Sequence, residues 1–352
     1  MEPRALDFLR KLLDAPGPSG YEQAPARVWR EEARTFADEV WGDVLGNSFA
    51  RLTREGGPKV VIAGHVDEIG FLITHVDEQG YLWFDQIGGW DDPVVVGQRI
   101  RIAARDGDVR GVVGRKAAHL VRREDKDKPI STRDLWIDIG AKDRADAKRR
   151  VAVGDPAVID ADFLQLTDDL CASRSMDNRV GAFVALETAR LLAADRPDAN
   201  VYAIATTQEE VSFAGAFTAS FQVAPVVAIA LDVTHATDYP DASKKADGDV
   251  RLGGGPVLTR GASLNPVVFE GLRAAGERLG LECPVQGAAR ASGTDADAMI
   301  RSGGGTATGL VSIPNRYMHS PNEVVSLSDL EHAARLIADF VRTITAESDF
   351  RP

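Results

Sequence analysis

Cysteine is almost missing from this chain: Cys171 and Cys283 are the only two among 352 residues. Two thiols cannot build a disulfide framework, and they show no paired metal spacing, so they fit a reducing, cytoplasmic setting. Positive charge is also short. Forty-one Lys and Arg face 53 Asp and Glu, for a formal net charge of −12. That balance argues against nucleic-acid binding, which needs a basic surface. No apolar run approaches the length of a membrane span, which argues against a membrane partner. The opening MEPRALDFLRKLLDAPG has an amphipathic helical pattern and lacks an apolar signal core. A soluble, intracellular protein is expected.

The chain is long enough for a large core and two domains. Its 44% hydrophobic and 27% charged residues make an ordinary soluble composition. Spacing predicts a helix over 3–13, stopped by the turn chemistry of PGPSG, and a second over 22–36. Short strands follow within DEVWGDVLGNSFARL, then a stronger one in PKVVIAGHVD. From about 69 to 163 the texture changes to short strands split by Gly, Asp-Gly and Pro. Examples are GFLITHV, GYLWFDQ, QRIRIAA, GVVGRKAAHL and LWIDIGA, a rhythm that suggests a small barrel or sandwich. Within it, VRREDKDKPISTRD reads as an exposed loop and AKDRADAKRR as a short solvated helix. After 170, helical MDNRVGAFVALETARLLAA is followed by the strands NVYAIATT, VVAIALDV and GTATGLVSI, with further helices between and after them in NPVVFEGLRAAGERLG and LSDLEHAARLIADFVRTIT. The expected fold class is α/β: one domain from residues 1–67 and 165–352, interrupted by a β-rich insertion over 68–164.

Charged residues gather where these strands end. PKVVIAGHVD ends at His65 and Asp67, NVYAIATTQEE at Glu209 and Glu210, and VVAIALDV at Asp232; His319 follows TATGLVSI, and Asp177 opens a helix. Ligands of open α/β sheets bind beyond the carboxyl ends of the strands, so His65, Asp177, Glu209, Glu210, Asp232 and His319 are expected in one crevice. Two histidines with several carboxylates suit Zn²⁺, Co²⁺ or Mn²⁺, and the carboxylate excess suits a pair of ions. Residues i and i+2 of a strand share a face, so Asp67 is placed to orient the His65 ring. One of the adjacent glutamates would hold metal while its neighbour activates water. Each residue alone has a plainer reading. His65 is a satisfied strand-end histidine, the glutamates a solvated face, Asp177 a helix cap and Asp232 a turn residue. Only their joint placement favours a metal site.

GHVDEIGF, SMDNRVGA, TTQEEVSFAGA, LDVTHATDYP, SGTDADAM and RYMHSP resemble the successive motifs of the tetrahedral aminopeptidase family, the dinuclear metallopeptidases of the glutamyl and deblocking aminopeptidase type. PGPSGYE, DVLGN, GVVGRKAAH and LWIDIGA extend the resemblance nearly end to end. It implies a mixed-sheet metallopeptidase domain with helices on both faces, and an inserted small β-barrel used for dimer contacts. It implies two divalent ions, Zn²⁺ or Co²⁺ with Mn²⁺ as an alternative. His65 and Asp232 would hold one ion, Glu210 and His319 the other, and Asp177 would bridge them. Glu209 would be the general base and Asp67 the partner of His65. The Asp177–Asn178 peptide is a candidate for the cis form. Dimers would assemble into a tetrahedral dodecamer. The loop bearing Gly293, Thr294 and Asp295 would face the substrate, although its plainer reading is a glycine-rich surface turn. SFAG stands where relatives often have a Gly-Leu-Arg-Gly type of sequence, and LGGGP where they often have a Leu-Gly-Lys-Gly-Pro type. These departures bear on substrate preference rather than on reaction type.

The expected function is therefore removal of N-terminal residues from short peptides. A dinuclear deacylase or another amidohydrolase would use the same metal pair, and a substrate panel separates these. An endoglucanase, a label some relatives have carried, needs an acid and a base flanking a sugar, and nothing in the sequence requires that. An inactive assembling scaffold would have no need of both histidines, the bridging aspartate and Glu209, and metal content discriminates it.

Overall fold

The computed structural model describes residues 1–121 and 128–352. Its centre is an eight-stranded mixed sheet. Asn200–Thr206, Lys59–His65, Val227–His235 and Ala307–Asn315 lie side by side and parallel. The hairpin of Glu39–Gly42 and Ser48–Leu52 pairs antiparallel onto one edge. Val257–Gly261 and Val285–Ala288 finish the other. The four central strands are buried almost throughout, because helices cover both faces. Alternate residues divide between the two layers. Val60 and Ile62 pack with the helices Pro3–Asp14, Met176–Ala194, Pro266–Leu279 and Leu327–Arg342, whereas Val61 and Ala63 pack with Ala214–Val223 and Asp295–Met299.

Met176–Ala194 is apolar on nearly every side, as suits a helix packed between a sheet and Leu327–Arg342. It sits unusually close to the sheet. A Cβ built on Gly64 would lie 2.4 Å from the Gly181 carbonyl carbon, so only glycine lets these backbones touch. That contact draws the start of the helix, and Asp177 with it, against the end of the His65 strand.

A closed six-stranded barrel is built from Gly70–Val76, Leu82–Ile87, Trp136–Asp138, Gly107–Gly114, Arg99–Ala104 and Pro156–Ile159, in that spatial order. All its pairings are antiparallel. Phe71, Ile73, Leu82, Ile100, Ile102 and Ile137 fill its core, and closure leaves it without a free edge. Between sandwich and barrel, the closed form is the one observed. The GVVGRKAAHL strand ends at Gly114, and Ala118–Leu120 form a 3₁₀ turn instead. The expected short helix is Arg144–Arg150, with the Asp143 side chain accepting from the Asp146 amide at its N-cap. Of the expected charged loop, 122–127 lies outside the described residues.

A third, small antiparallel sheet joins Leu164–Gln165, Leu170–Ser173 and Glu323–Ser326. It brings Glu323, far along the chain, beside the entry to the Asp177 helix.

Candidate active site

The central strands deliver His65 and Asp232 to one end of the sheet, on the face covered by Ala214–Val223 and Asp295–Met299. The two glutamates arrive differently from the strand ending expected of them. Asn200–Thr206 stops before them, Gln208 turns the chain through a left-handed conformation (φ 57°), and Glu209–Ser212 form a helical turn. A strand would point neighbours to opposite faces, whereas this turn sends both side chains to the same cluster. At Asp177 and Asn178 the helix has non-helical dihedrals, and their peptide bond is cis.

Asp177 stands between the two histidines. Its Oδ1 lies 3.2 Å from His65 Nε2, and its Oδ2 lies 3.4 Å from His319 Nε2. Around His65, Glu209 Oε2 is 3.7 Å and Asp232 Oδ1 4.0 Å from the same nitrogen. His319 Nε2 is also 3.4 Å from Glu210 Oε1. Donor atoms of His65, Asp177 and Glu210 fall within 4.8 Å of one another, as do those of His65, Glu209 and Asp232. The six residues expected in one crevice thus lie in one cluster. Gly293 and Thr294 lie on the neighbouring loop, whereas Asp295 opens the helix Asp295–Met299 and accepts, buried, from the Thr206 hydroxyl.

Asp67 holds this arrangement from behind. The His65 Nδ1 approaches its backbone carbonyl at 3.2 Å and its Oδ1 at 3.4 Å. The same carboxylate accepts the amides of Glu209 and Glu210 and the hydroxyl of Ser19. It therefore fixes both the ring and the glutamate turn.

Charge in the cluster is badly unbalanced. Burial pushes Glu209 up, and Asp232, Asp295 and Glu210 add to this against His65, to about 11. Burial, with Asp177 nearby, also raises Glu210 and Asp232. Burial alone would lower His319, but Asp177 and Glu210 carry it up to about 11. Although burial pushes Asp177 the other way, His319 and His65 hold it below the usual carboxylate range. Two imidazoles cannot balance this many buried carboxylates, and such groups either take protons or gather cations. Glu210 Oε1 is buried and accepts no hydrogen bond. The donor set and its unmet charge fit divalent metal.

Several supporting residues escaped the sequence reading. Glu323 accepts from the amides of Asp177 at 2.9 Å and His319 at 2.8 Å, joining two of the expected ligands. Its signal is a lone charge opening the apolar strand EVVS, four residues after His319. Glu22, in PGPSGYE, receives the Gln208 amide at 3.1 Å, and burial pushes its carboxyl up to about 7. Glu68 is buried between Arg174 and Arg179 directly after Asp67. The barrel segment contributes a wall: Ile69 and Trp90 line the small cavity at Asp177, Glu210 and His319. A Cβ on Gly88 would lie 3.4 Å from the Glu210 Cβ, and one on Gly89 would lie 3.4 Å from His319 Nδ1.

Known proteins share this whole architecture. The model of the M42 glutamyl aminopeptidase family matches residues 46–336. A lysyl aminopeptidase of Pyrococcus furiosus is 33% identical over 350 residues, covering 98% of this chain and 99% of its own. The TET aminopeptidase from a marine sediment Thaumarchaeota archaeon superposes with a TM-score of 0.93 at 30% identity, covering 98% of each chain. The Pyrococcus horikoshii TET1 peptidase, which can assemble into a tetrahedron or a large octahedral shell, gives a TM-score of 0.86 at 30% identity, over 97% of this chain and 100% of its own. The fold is thus matched over nearly the full length, and the chain belongs to the M42 glutamyl aminopeptidase family, as a peptide-hydrolysing aminopeptidase.

Proposed function

We propose that this aminopeptidase releases N-terminal residues from short peptides using two divalent cations, Zn²⁺ or Co²⁺, with Mn²⁺ as an alternative. The observation that carries the reading is the position of Asp177, with one oxygen toward His65 and the other toward His319. A carboxylate so placed suits a bridge between two ions. His65 and Asp232 would complete one ion's protein ligands, and Glu210 and His319 the other's. When bound, such ions supply Lewis acidity, polarising the scissile carbonyl and lowering the pKa of water.

The chain's own residues supply the rest. Glu209 is the general base: it takes the proton of the attacking water and passes it to the leaving amine. Its buried position, 8% exposed, excludes bulk water that would compete for that proton. Asp67 orients His65 and holds the Glu209 turn. The loop with Gly293, Thr294 and Asp295 lies on the substrate side.

The same reading covers the molecule's setting. Residues 1–67 and 165–352 form the catalytic domain, and 68–164 the inserted barrel domain that mediates dimerisation. Dimers then assemble toward a tetrahedral dodecamer. Support comes from the structural neighbours, including the TET1 peptidase that forms a tetrahedron or an octahedral shell. Among the described residues no helix is long and apolar enough to cross a membrane, and both cysteines are free. Cytoplasmic residence, with peptides as partners and without nucleic acid or membrane, is part of the same proposal. The test is a panel of aminoacyl chromogenic substrates with Zn²⁺, Co²⁺ and Mn²⁺ added separately. Turnover of aminoacyl but not N-acylated substrates is expected. Preference for the N-acylated set would replace this reading with a deacylase.

A further inference from the structure

Asp232 and Ser312 are register partners on adjacent parallel strands. Their side chains therefore leave the same face of the sheet, about 4.8 Å apart. Thr234, two residues beyond Asp232, projects from that face as well. Ser312 and Thr234 help line a cavity of about 330 Å³ that also meets Thr259, Gln286, Thr294 and Leu310. Thr294 immediately precedes Asp295, whose Oδ1 is buried without a partner. The cavity is thus one strand away from the Asp232 side of the cluster and borders the substrate-side loop.

Its chemistry is distinctive for what surrounds it. Hydroxyls, one amide and aliphatic carbon dominate the lining, and among the described residues no lysine or arginine contributes to it. The titratable lining residues are His235 and Asp247, both exposed. Gln286 is held in the wall by two hydrogen bonds: it accepts from the Thr234 hydroxyl at 2.8 Å and donates to the Asp247 carbonyl at 2.9 Å.

We infer that this cavity receives the side chain of the substrate's first residue and selects uncharged side chains of intermediate size, with acidic ones the most strongly rejected. The inference rests on the aminopeptidase site proposed above. A peptide whose scissile carbonyl lies at the cluster has its first side chain within one strand spacing of Asp232, where the cavity stands. A neutral side chain such as that of Leu, Met or Gln loses little on entering a lining of methyls and hydroxyls. A Glu side chain would give up water in a lining that, among the described residues, offers it no lysine or arginine. Lys and Arg side chains fall between, because exposed Asp247 offers them a partner.

The experiment compares kcat/KM for Leu, Gln, Lys and Glu p-nitroanilides with the full-length, metal-loaded enzyme. Leu is expected to exceed Glu by roughly 100-fold or more, since a carboxylate that loses water without gaining a partner is costly to bury. The variant Gln286→Lys places an ammonium in the half-buried wall and should raise the Glu-to-Leu ratio by roughly 10-fold. A second readout is calorimetric binding of Leu-Ala and Glu-Ala to Glu209→Gln, which should show the same order without turnover. Equal or preferential cleavage of Glu by the natural enzyme would overturn the inference. So would an unchanged ratio in a Gln286→Lys protein whose circular dichroism shows it folded. Hydrolysis of none of the panel would sink the aminopeptidase reading itself, a result distinguishable from a wrong preference.

Discussion

Asp67 receives the backbone N–H groups of both Glu209 and Glu210, one on each carboxylate oxygen, at 3.2 Å. One side chain thereby sets the direction of two adjacent glutamates while its other contacts hold the His65 ring. Replacement by asparagine keeps the volume but leaves one oxygen to accept where two were needed. Asp67→Asn should therefore lower turnover or metal affinity by roughly 10- to 100-fold. Titrating each metal into the apo variant, with activity followed alongside, separates the two effects.

The two glutamates are expected to respond differently. Glu209→Gln should retain both ions and lose turnover by roughly 100-fold or more, the scale of general-base catalysis. Glu210→Gln should lose affinity at one site, with excess metal restoring part of the activity. Native mass spectrometry gives the stoichiometry and a chromogenic assay the rate. If Glu209→Gln lost an ion while Glu210→Gln kept two, the assigned roles would be reversed.

Metal removal should act on stability as well as on activity. Ions that bind only the folded cluster stabilise it by about 2.7 kcal/mol per site at a free concentration a hundred times Kd. Dialysis against a chelator should lower the thermal midpoint and abolish turnover, and both should return with Zn²⁺ or Co²⁺. A chelated protein shown to be metal-free and still fully active would refute the metal reading.

Gly64→Ala tests the contact that brings Asp177 to His65. The new methyl would meet the Gly181 backbone, which cannot swing aside as a side chain can. Overpacking of this kind costs about 1–3 kcal/mol. Because the displaced helix carries Asp177, turnover should fall by about 10-fold or more, given how steeply rate depends on placement. Urea midpoints and kcat, measured on the same preparation, check both parts.

Asp329 gives a pH-dependent prediction away from the metal cluster. Burial pushes its carboxyl up to about 6, although it accepts the Gly253 and Gly255 amides. An acid whose folded pKa is raised binds its proton more tightly when folded. Its favourable contribution is complete below about 3.8 and is lost as pH rises through about 6. Between pH 4 and 7 the natural protein should lose up to about 3 kcal/mol relative to Asp329→Asn, from a shift of about two pKa units. Thermal midpoints of both proteins across that range should converge toward low pH, and parallel curves would contradict the assignment.

The legible parts of the molecule were those with a period. VVAIALDV, NVYAIATT and the apolar helix after Asp177 carry patterns that their burial explains, and the charged residues at their ends marked the cluster. Pieces whose structure depends on distant partners were harder to read. Leu164–Gln165 and Leu170–Ser173 are too short to show alternation, and they become strands by pairing with each other and with Glu323–Ser326. Gln208 gave no glycine signal for its left-handed turn, so the glutamates looked like the end of a strand. Glu323 lacked a motif of its own, because its role comes from two backbone amides brought together only in the folded chain.

Gly88, Gly89 and Trp90 have a practical consequence for anyone who would treat the barrel as an interchangeable part. They sit in its stretch of sequence, yet they stand against Glu210 and His319. Excising the barrel and sealing the chain with a short linker would strip the wall from the cluster and admit solvent to it. Transplanting a barrel from a relative would carry in that relative's wall. Chimeras that preserve catalysis should therefore restore Gly88, Gly89 and Trp90 within the transplanted barrel, whose first two strands precede them.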